Sequence, residues 1–276
     1  EQYAEVIRNS VKHYKPLLKI ADAACSACAS GEIPGLAEHT RRLFENIAPH
    51  PFTRGNRTKL LIDGEATFHE IFDAVDAAQS YILIEYYIFR HDSIGIEFAE
   101  RLMLKAKDGV QVHFIYDEMG SGRLPDEFVD RMRSSGIHVS SFDAPSRAWS
   151  YLRINFRNHR KLVVVDGKTA FVGGLNVGDE YLSRDIKIGY WRDTHLKIDG
   201  PAAMAVQSAF LTDLAWAADY QPPSLNWQPP LPQGAKPEDG TNDALIVPSG
   251  PAGEIEVCSL FFIESICSAR KRLWLA

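Results

Sequence analysis

The pattern of apolar and polar positions changes character once along the chain. Residues 1 to about 50 set Val6, Leu17, Leu18, Leu36 and Leu43 among charges, with Pro34 and Pro49 as punctuation, which predicts helices. From Thr58 onward, short apolar runs of strand length alternate with helical periodicity. Strands are predicted over Lys59–Ile62, Tyr81–Ile84, Val110–Tyr116 and Ile137–Phe142. Asp63-Gly64 reads as a turn. Helices are predicted from Phe68 to Ala78, with Phe68, Ile71, Phe72 and Val75 on one face, from Ile94 to Lys107, and once more before Ile137. Strands alternating with helices predict an α/β domain around a largely buried sheet.

Further on, Lys161–Val165 and Thr169–Gly173 flank Asp166-Gly167, the strongest short hairpin signal that a sequence offers. Trp191–Ile198 reads as another strand, and Pro201–Asp219 as a long amphipathic helix opened by proline. Residues 221–242 are rich in Pro, Gly, Asn and Gln without periodicity and read as a linker or long loop. The opening theme then returns. Ala244–Val247 parallels Lys59–Ile62, and Phe261–Ala269 leading into Arg272–Leu275 parallels Ile71–Ala78 leading into Tyr81–Ile84. This predicts an internal duplication whose second copy is cut short. The expected organisation is a helical segment (1–53), a first domain (54–220), the linker (221–242) and the start of a second repeat (243–276).

Composition narrows the function classes. With 45% hydrophobic and 24% charged residues the chain has ordinary globular content. Its formal charge of -6 argues against a general nucleic-acid binder, since phosphate backbones are held by excess Lys and Arg. A local basic pocket for one phosphodiester stays open. Cys25 and Cys28 form a C-x-x-C with no second ligand pair nearby, and Cys258 and Cys267 fall in a later helical pattern. All four read as small buried helix residues of a reducing compartment rather than as a metal site. No apolar run reaches the length of a membrane-spanning helix. Because the chain opens on Glu1 and closes on Ala276 inside an expected strand, both ends read as cuts, and the missing anchor carries no weight for the parent protein.

The chemistry concentrates in one stretch: His159, Lys161, Asp166, Gly173, Gly174 and Asn176, a pattern of H-x-K-x4-D-x6-G-G-x-N. Its chance occurrence in a chain this long is on the order of one in 10⁵. Two residues apart on a strand, His159 and Lys161 leave the same face. An imidazole nucleophile beside a fixed ammonium suits attack on a phosphodiester, with the lysine neutralising non-bridging oxygens. Gly173 and Gly174 let backbone approach a ligand, and Asn176 offers amide donors to the same phosphate. Asp166 is explained by turn-making and local hydrogen bonds, with a direct catalytic role as the alternative. No carboxylate cluster with metal-ligand spacing accompanies the motif, and no cofactor is called for.

The pattern resembles the HKD motif of the phospholipase D superfamily, whose members pair two such motifs across a pseudo-twofold axis. Phe171–Asn176 running into Gly178–Tyr181, Tyr190–Leu196, Gly55-Asn56 ahead of Leu60–Gly64, and Gly109-Val110 opening a strand that ends in Tyr116-Asp117 are similar to the cardiolipin synthase branch. The likeness runs from about residue 54 to the end. Gly174 departs from the superfamily's frequent serine, which removes a hydroxyl donor to phosphate. The resemblance implies a phospholipase D-like α/β sandwich, with a mixed, mostly buried sheet flanked by helices. It further implies condensation of two phosphatidylglycerol molecules into cardiolipin and glycerol through a phosphohistidine on His159. Lys161 and Asn176 would hold the phosphate, and Asp193 would orient the imidazole, its alternative being a strand-end residue paired with Arg192. The second motif would come from a missing C-terminal half or a second subunit. The setting implied is the cytoplasmic side of a bacterial inner membrane. His195, followed by Lys197 but by no Gly-Gly-x-Asn, reads as structural, as do His113 and His138. A hydrolytic phospholipase D and a single-motif dimeric phosphodiesterase or nuclease are the alternative functions.

Overall fold

Every residue of the run Tyr81–Tyr86 is buried, which requires apolar layers on both sides of that strand. The computed structural model, which describes residues 2–142, 158–218, 220–228, 241–250 and 256–274, supplies both layers. In chain order the elements are α1 (Gln2–Ala27), α2 (Glu38–Ile47), β1 (Thr53–Ile62), α3 (Asp63–Ala77), β2 (Tyr81–Tyr86) and α4 (Ser93–Lys107). There follow β3 (Gln111–Asp117), α5 (Asp126–Ser134), β4 (His138–Phe142), β5 (Lys161–Val165) and β6 (Thr169–Gly173). A 3₁₀ turn (Asp179–Leu182), β7 (Thr194–Asp199), α6 (Ala202–Ala217), β8 (Asn242–Ala244) and α7 (Val257–Ser268) complete them.

The strands form one mixed sheet ordered β4-β3-β2-β5-β6-β7-β1-β8. β2, β3 and β4 run parallel, as helical crossovers require, and the remaining neighbours are antiparallel. On one face Ile82, Ile84 and Tyr86 join Phe68 and Phe72 of α3, Phe98 of α4 and Phe128 of α5. On the other, Tyr81 and Leu83 join Tyr14 of α1 and Phe210, Leu211 and Leu214 of α6. Each such side chain stabilises the fold by about 1.5–3 kcal/mol. The α/β class with a buried sheet is the one that the alternation predicts, and the mixed strand directions are those that the resemblance implies.

Several boundaries differ from the sequence expectation. Asp63-Gly64 opens α3 directly, because Asp63 turns the chain sharply with φ at 63°. β7 starts at Thr194 rather than Trp191, since the Trp191 and Asp193 amides are drawn off to Ser183 Oγ and Asp63 Oδ1. α6 is not amphipathic: 13 of its 16 residues are buried, because α1 covers the side that the sheet leaves open. The strand expected at Ala244–Val247 is found at Asn242–Ala244, where β1 offers an antiparallel edge. Arg272–Trp274 have no strand beside them among the described residues and form none. Residues 229–240 of the expected linker lie outside the described residues, whereas 221–228 pack down, with Asn226 bonded to Tyr81 and Asp166. Cys25 is buried and its thiol pushed up to about 12 by that burial, but Cys258 and Cys267 are exposed on α7, which presents no buried residue.

The β5–β6 turn is of the kind that Asp-Gly favours, with φ of 51° at Asp166 and 65° at Gly167. The Asp166 carboxylate accepts the backbone N–H groups of Gln79, Ser80 and Tyr81 at 3.0, 2.8 and 3.0 Å. It thereby fastens the hairpin to the start of β2. Asp166→Ala leaves three donors without their acceptor and is expected to lower unfolding stability by about 2–4 kcal/mol. Asp166→Asn, which keeps one acceptor oxygen, should lose less. Urea denaturation of the two variants measures the difference.

Candidate active site

One edge of the sheet gathers the ends of β1, β2, β3 and β6 and the starts of β5 and β7, through the pairs Tyr86–Lys161, Gly173–His195 and Ile62–Thr194. The sequence stretch with the chemistry is delivered here. His159 does not lie on β5, which begins at Lys161. The Asn158 side-chain carbonyl instead accepts the Arg160 amide at 3.0 Å, taking that N–H out of the ladder. His159 and Lys161 nonetheless converge on one ring. The imidazole stacks on Tyr87 with centroids 3.9 Å apart, and Lys161 Nζ sits 5.4 Å from the same ring centre. Lys161 Nζ also donates to the His159 carbonyl.

Burial lowers the Lys161 pKa, and the charges of Asp193, Asp117 and Glu85 oppose that shift. The ammonium is therefore a desolvated cation with carboxyl groups around it, a poised site for phosphate oxygens.

The segment carrying His159 is gripped on both sides. Asp117, at the end of β3, accepts the Met119 and Gly120 amides at 2.9 Å and the Asn158 amide at 3.2 Å. Its pKa is raised by burial, against those donors and the nearby His159. Asn158 Nδ2 donates to Glu85 on β2, and Arg160 pairs with Asp213 on α6. Glu85 is buried among these groups, and burial, reinforced by Asp213, holds its pKa well above the carboxylate range.

The two glycines are required by close approach. A side chain on Gly173 would run into the His195 ring, and one on Gly174 into the Asp193 carboxylate. The departure from serine at 174 is thus the space in which Asp193 sits. Asp193 is further held by Thr194 N at 2.7 Å and Trp191 Nε1 at 3.4 Å. His195 lies buried behind Gly173, where burial presses its pKa down to about 4, so it is neutral at pH 7. Asn176 is buried; its Oδ1 accepts Ile88 N and its Nδ2 donates to the Tyr181 hydroxyl, both at 3.0 Å. Its Nδ2 carries a second hydrogen to donate. Asp166 is not brought to the site, for it stands at the far end of β5, roughly 15 Å along the strand. Beside His159, Lys161 and Gly173 opens a cavity of about 320 Å³, walled by Val206, Ala209 and Leu245–Ser249. No group of three or more metal-ligating side chains occurs among the described residues.

His159, Lys161, Gly173, Gly174 and Asp193 were legible in the sequence. Tyr87, Glu85, Asp117 and Asp213 were not, although a glutamate interrupting the apolar run Tyr81–Phe89 was a usable signal.

Glu85 gives a pH prediction. A carboxyl whose folded pKa is raised keeps its proton after the unfolded chain has lost it, so stability falls as pH rises above about 4.5. Glu85→Gln should remove that loss of up to about 1.4 kcal/mol per pH unit. Urea midpoints from pH 5 to 8 should therefore fall less steeply in the variant than in the wild type.

The family model described as cardiolipin synthase, PLD-like domain, matches residues 71–198. Cardiolipin synthase A of Pseudomonas putida (strain W619) is 43% identical over 235 residues, covering 85% of this chain and 47% of that protein. Cardiolipin synthase A of Pseudomonas aeruginosa (strain UCBPP-PA14) is 42% identical over 227 residues, covering 82% and 44%. The chain spans about half the length of the curated relatives it matches. Among solved structures, the phospholipase D family member Nuc from Salmonella typhimurium matches with a TM-score of 0.45 and 18% identity, over 60% of this chain and 99% of that one. Over some 85% of its length the chain is a homologue of about half of cardiolipin synthase A, and its residues 71–198 match the phospholipase D-like domain of that family.

Proposed function

We propose that this chain supplies the nucleophilic half of a phosphatidyltransferase that joins two phosphatidylglycerol molecules into cardiolipin and glycerol. The observation that carries the reading is the convergence of His159 and desolvated Lys161 on Tyr87, beside an Asp193 carboxylate seated against Gly174.

In the first step an imidazole nitrogen of His159 forms a bond to phosphorus, and the bond from phosphorus to the glycerol oxygen breaks. The departing oxygen takes a proton from a general acid, which this reading assigns to a second motif. In the second step a hydroxyl of another phosphatidylglycerol attacks, its proton goes to that same group, and the nitrogen–phosphorus bond breaks. Lys161 and the remaining Nδ2 hydrogen of Asn176 balance charge on the non-bridging oxygens. Asp193 fixes the tautomer of His159 and stabilises its imidazolium. Gly173 and Gly174 make room for His195 and Asp193, and the apolar wall of the cavity accommodates glyceride carbons. Asp166 acts at a distance, by fastening the hairpin.

The partner half packs onto this chain as a second repeat, with residues 243–276 as its beginning. The exposed apolar side chains Leu260, Phe262, Ile263 and Ile266 of α7 support that. The site works at the cytoplasmic face of a bacterial inner membrane. No helix among the described residues is long and apolar enough to cross a membrane.

Three outcomes are expected. Asp193→Asn in the two-motif protein should slow cardiolipin formation by roughly 10²–10³, below the about 10⁴ of the analogous change in a serine-protease triad. An unchanged rate would leave Asp193 a strand-end residue. The 276-residue chain alone should turn over about 10²–10⁴ more slowly, for want of the general acid. Exhaustive chelation should leave the rate intact, because charge stabilisation is assigned to Lys161 and amides. Loss on chelation with recovery on one divalent ion would refute that assignment. Chromatography of the labelled lipid products separates transfer from hydrolysis, which would yield phosphatidic acid.

A further inference from the structure

The ten residues Ser183–Arg192, between the 3₁₀ turn and β7, form a tied loop. Trp191 N donates to Ser183 Oγ at 2.9 Å and closes its neck. Inside, Gly189 N donates to Asp185 O at 2.8 Å, and Lys187 N to Asp185 Oδ1 at 2.7 Å. Ser183 and Gly189 take the left-handed conformation that the tight path needs, with φ of 59° and 78°. Yet this held loop turns its apolar side chains outward: Ile186 is 98% exposed, Tyr190 72% and Ile188 50%. Ile62 at the end of β1 and Met119 just beyond β3 are exposed at the same edge of the sheet. Single apolar residues on a surface need no explanation, but three within five residues, on a loop rigid enough to have hidden them, do.

The charge of the loop is equally unlike that of the chain. Arg184, Lys187 and Arg192 stand against Asp185 alone, whereas the whole chain has 36 acidic and 30 basic residues. The Asp185 carboxylate is turned onto the loop's own amides. Arg184 pairs with Glu65 and Asp179, and Arg192 with Asp63. Lys187 makes no ion pair among the described residues. A basic residue between outward isoleucines is the pattern of a segment that lies in a lipid interface, its apolar groups about 5–10 Å deep and its cation at the headgroups.

We infer that Ser183–Arg192 is a membrane-docking loop, with Ile186 and Ile188 entering an anionic phospholipid surface and Lys187 meeting its phosphates. The choice of a lipid surface over a protein partner rests on the phosphatidyl-transfer reading, and on the loop's continuity with the site. Trp191 Nε1 donates to Asp193, and Tyr190 and Arg192 both bond to Asp63, whose Oδ1 also holds the Asp193 amide. Docking there sets Asp193 and its neighbours at the level of the phosphates.

Flotation of the 276-residue chain with vesicles of phosphatidylglycerol or of phosphatidylcholine tests this. Wild type should partition onto phosphatidylglycerol vesicles, more weakly onto phosphatidylcholine and more weakly in high salt. The double substitution Ile186→Ser with Ile188→Ser should lower partitioning by roughly tenfold or more at an unchanged urea midpoint. Phe262→Ser with Ile263→Ser on α7 should change it less than twofold. Three results overturn the inference: no vesicle binding by wild type, binding that survives the loop substitutions, or binding lost only with the α7 pair. Sedimentation showing a dimer that the loop substitutions dissolve would assign the loop to a second copy instead. Because partitioning needs no turnover, loop-dependent binding by this chain together with a two-motif protein that makes no cardiolipin would refute the transfer reading alone.

Discussion

The site depends on a polar clamp built where a sheet would ordinarily place apolar side chains. Glu85 occupies a fully buried position of β2 and accepts from Asn158, while Asp213 of α6 takes Arg160 and Asp117 of β3 takes the Asn158 amide. Three elements thus grip the two residues on either side of His159. Removing one member of such a set leaves buried polar groups unsatisfied, which is why the arrangement is either complete or costly. The result is a short non-strand segment, Asn158–Arg160, that presents its histidine in one place against Tyr87.

The same edge of the sheet shows how closely backbone and side chains must fit around that histidine. Two glycines at the end of β6 give their side-chain space to His195 and Asp193. Asp63 holds the Asp193 amide and the side chains of Tyr190 and Arg192, and its own carboxyl is kept below the ordinary range, first by the Tyr190 hydroxyl. His159 stacked on Tyr87, a buried Lys161 whose charge Asp193 and Asp117 support, and an apolar cavity wall are the parts that the proposed phosphatidyl transfer would use.

How much of this the sequence shows follows from the range of each interaction. The Asp-Gly hairpin, the buried β2 run and the His-x-Lys spacing are local, and all are legible as strings. Strand ends are set by distant partners: β5 waits for Lys161 because Asn158 bonds its own neighbour, and β7 for Thr194 because Asp63 and Ser183 take the preceding amides. Asp117 and Asp213 look like ordinary charges in the sequence, since their meaning comes from residues 41 and 53 positions away. Gly174 reads as a lost donor until the carboxylate that fills its place is seen.

The central claim is that His159 is the atom donor to phosphorus. The direct measurement is peptide mass spectrometry of the two-motif protein, rapidly quenched at neutral pH during turnover of phosphatidylglycerol. The account predicts a phosphatidyl adduct on the peptide containing His159, discharged by acid and absent from His159→Asn. An adduct on His195 or another residue, or steady turnover with no adduct at any quench time, would contradict it.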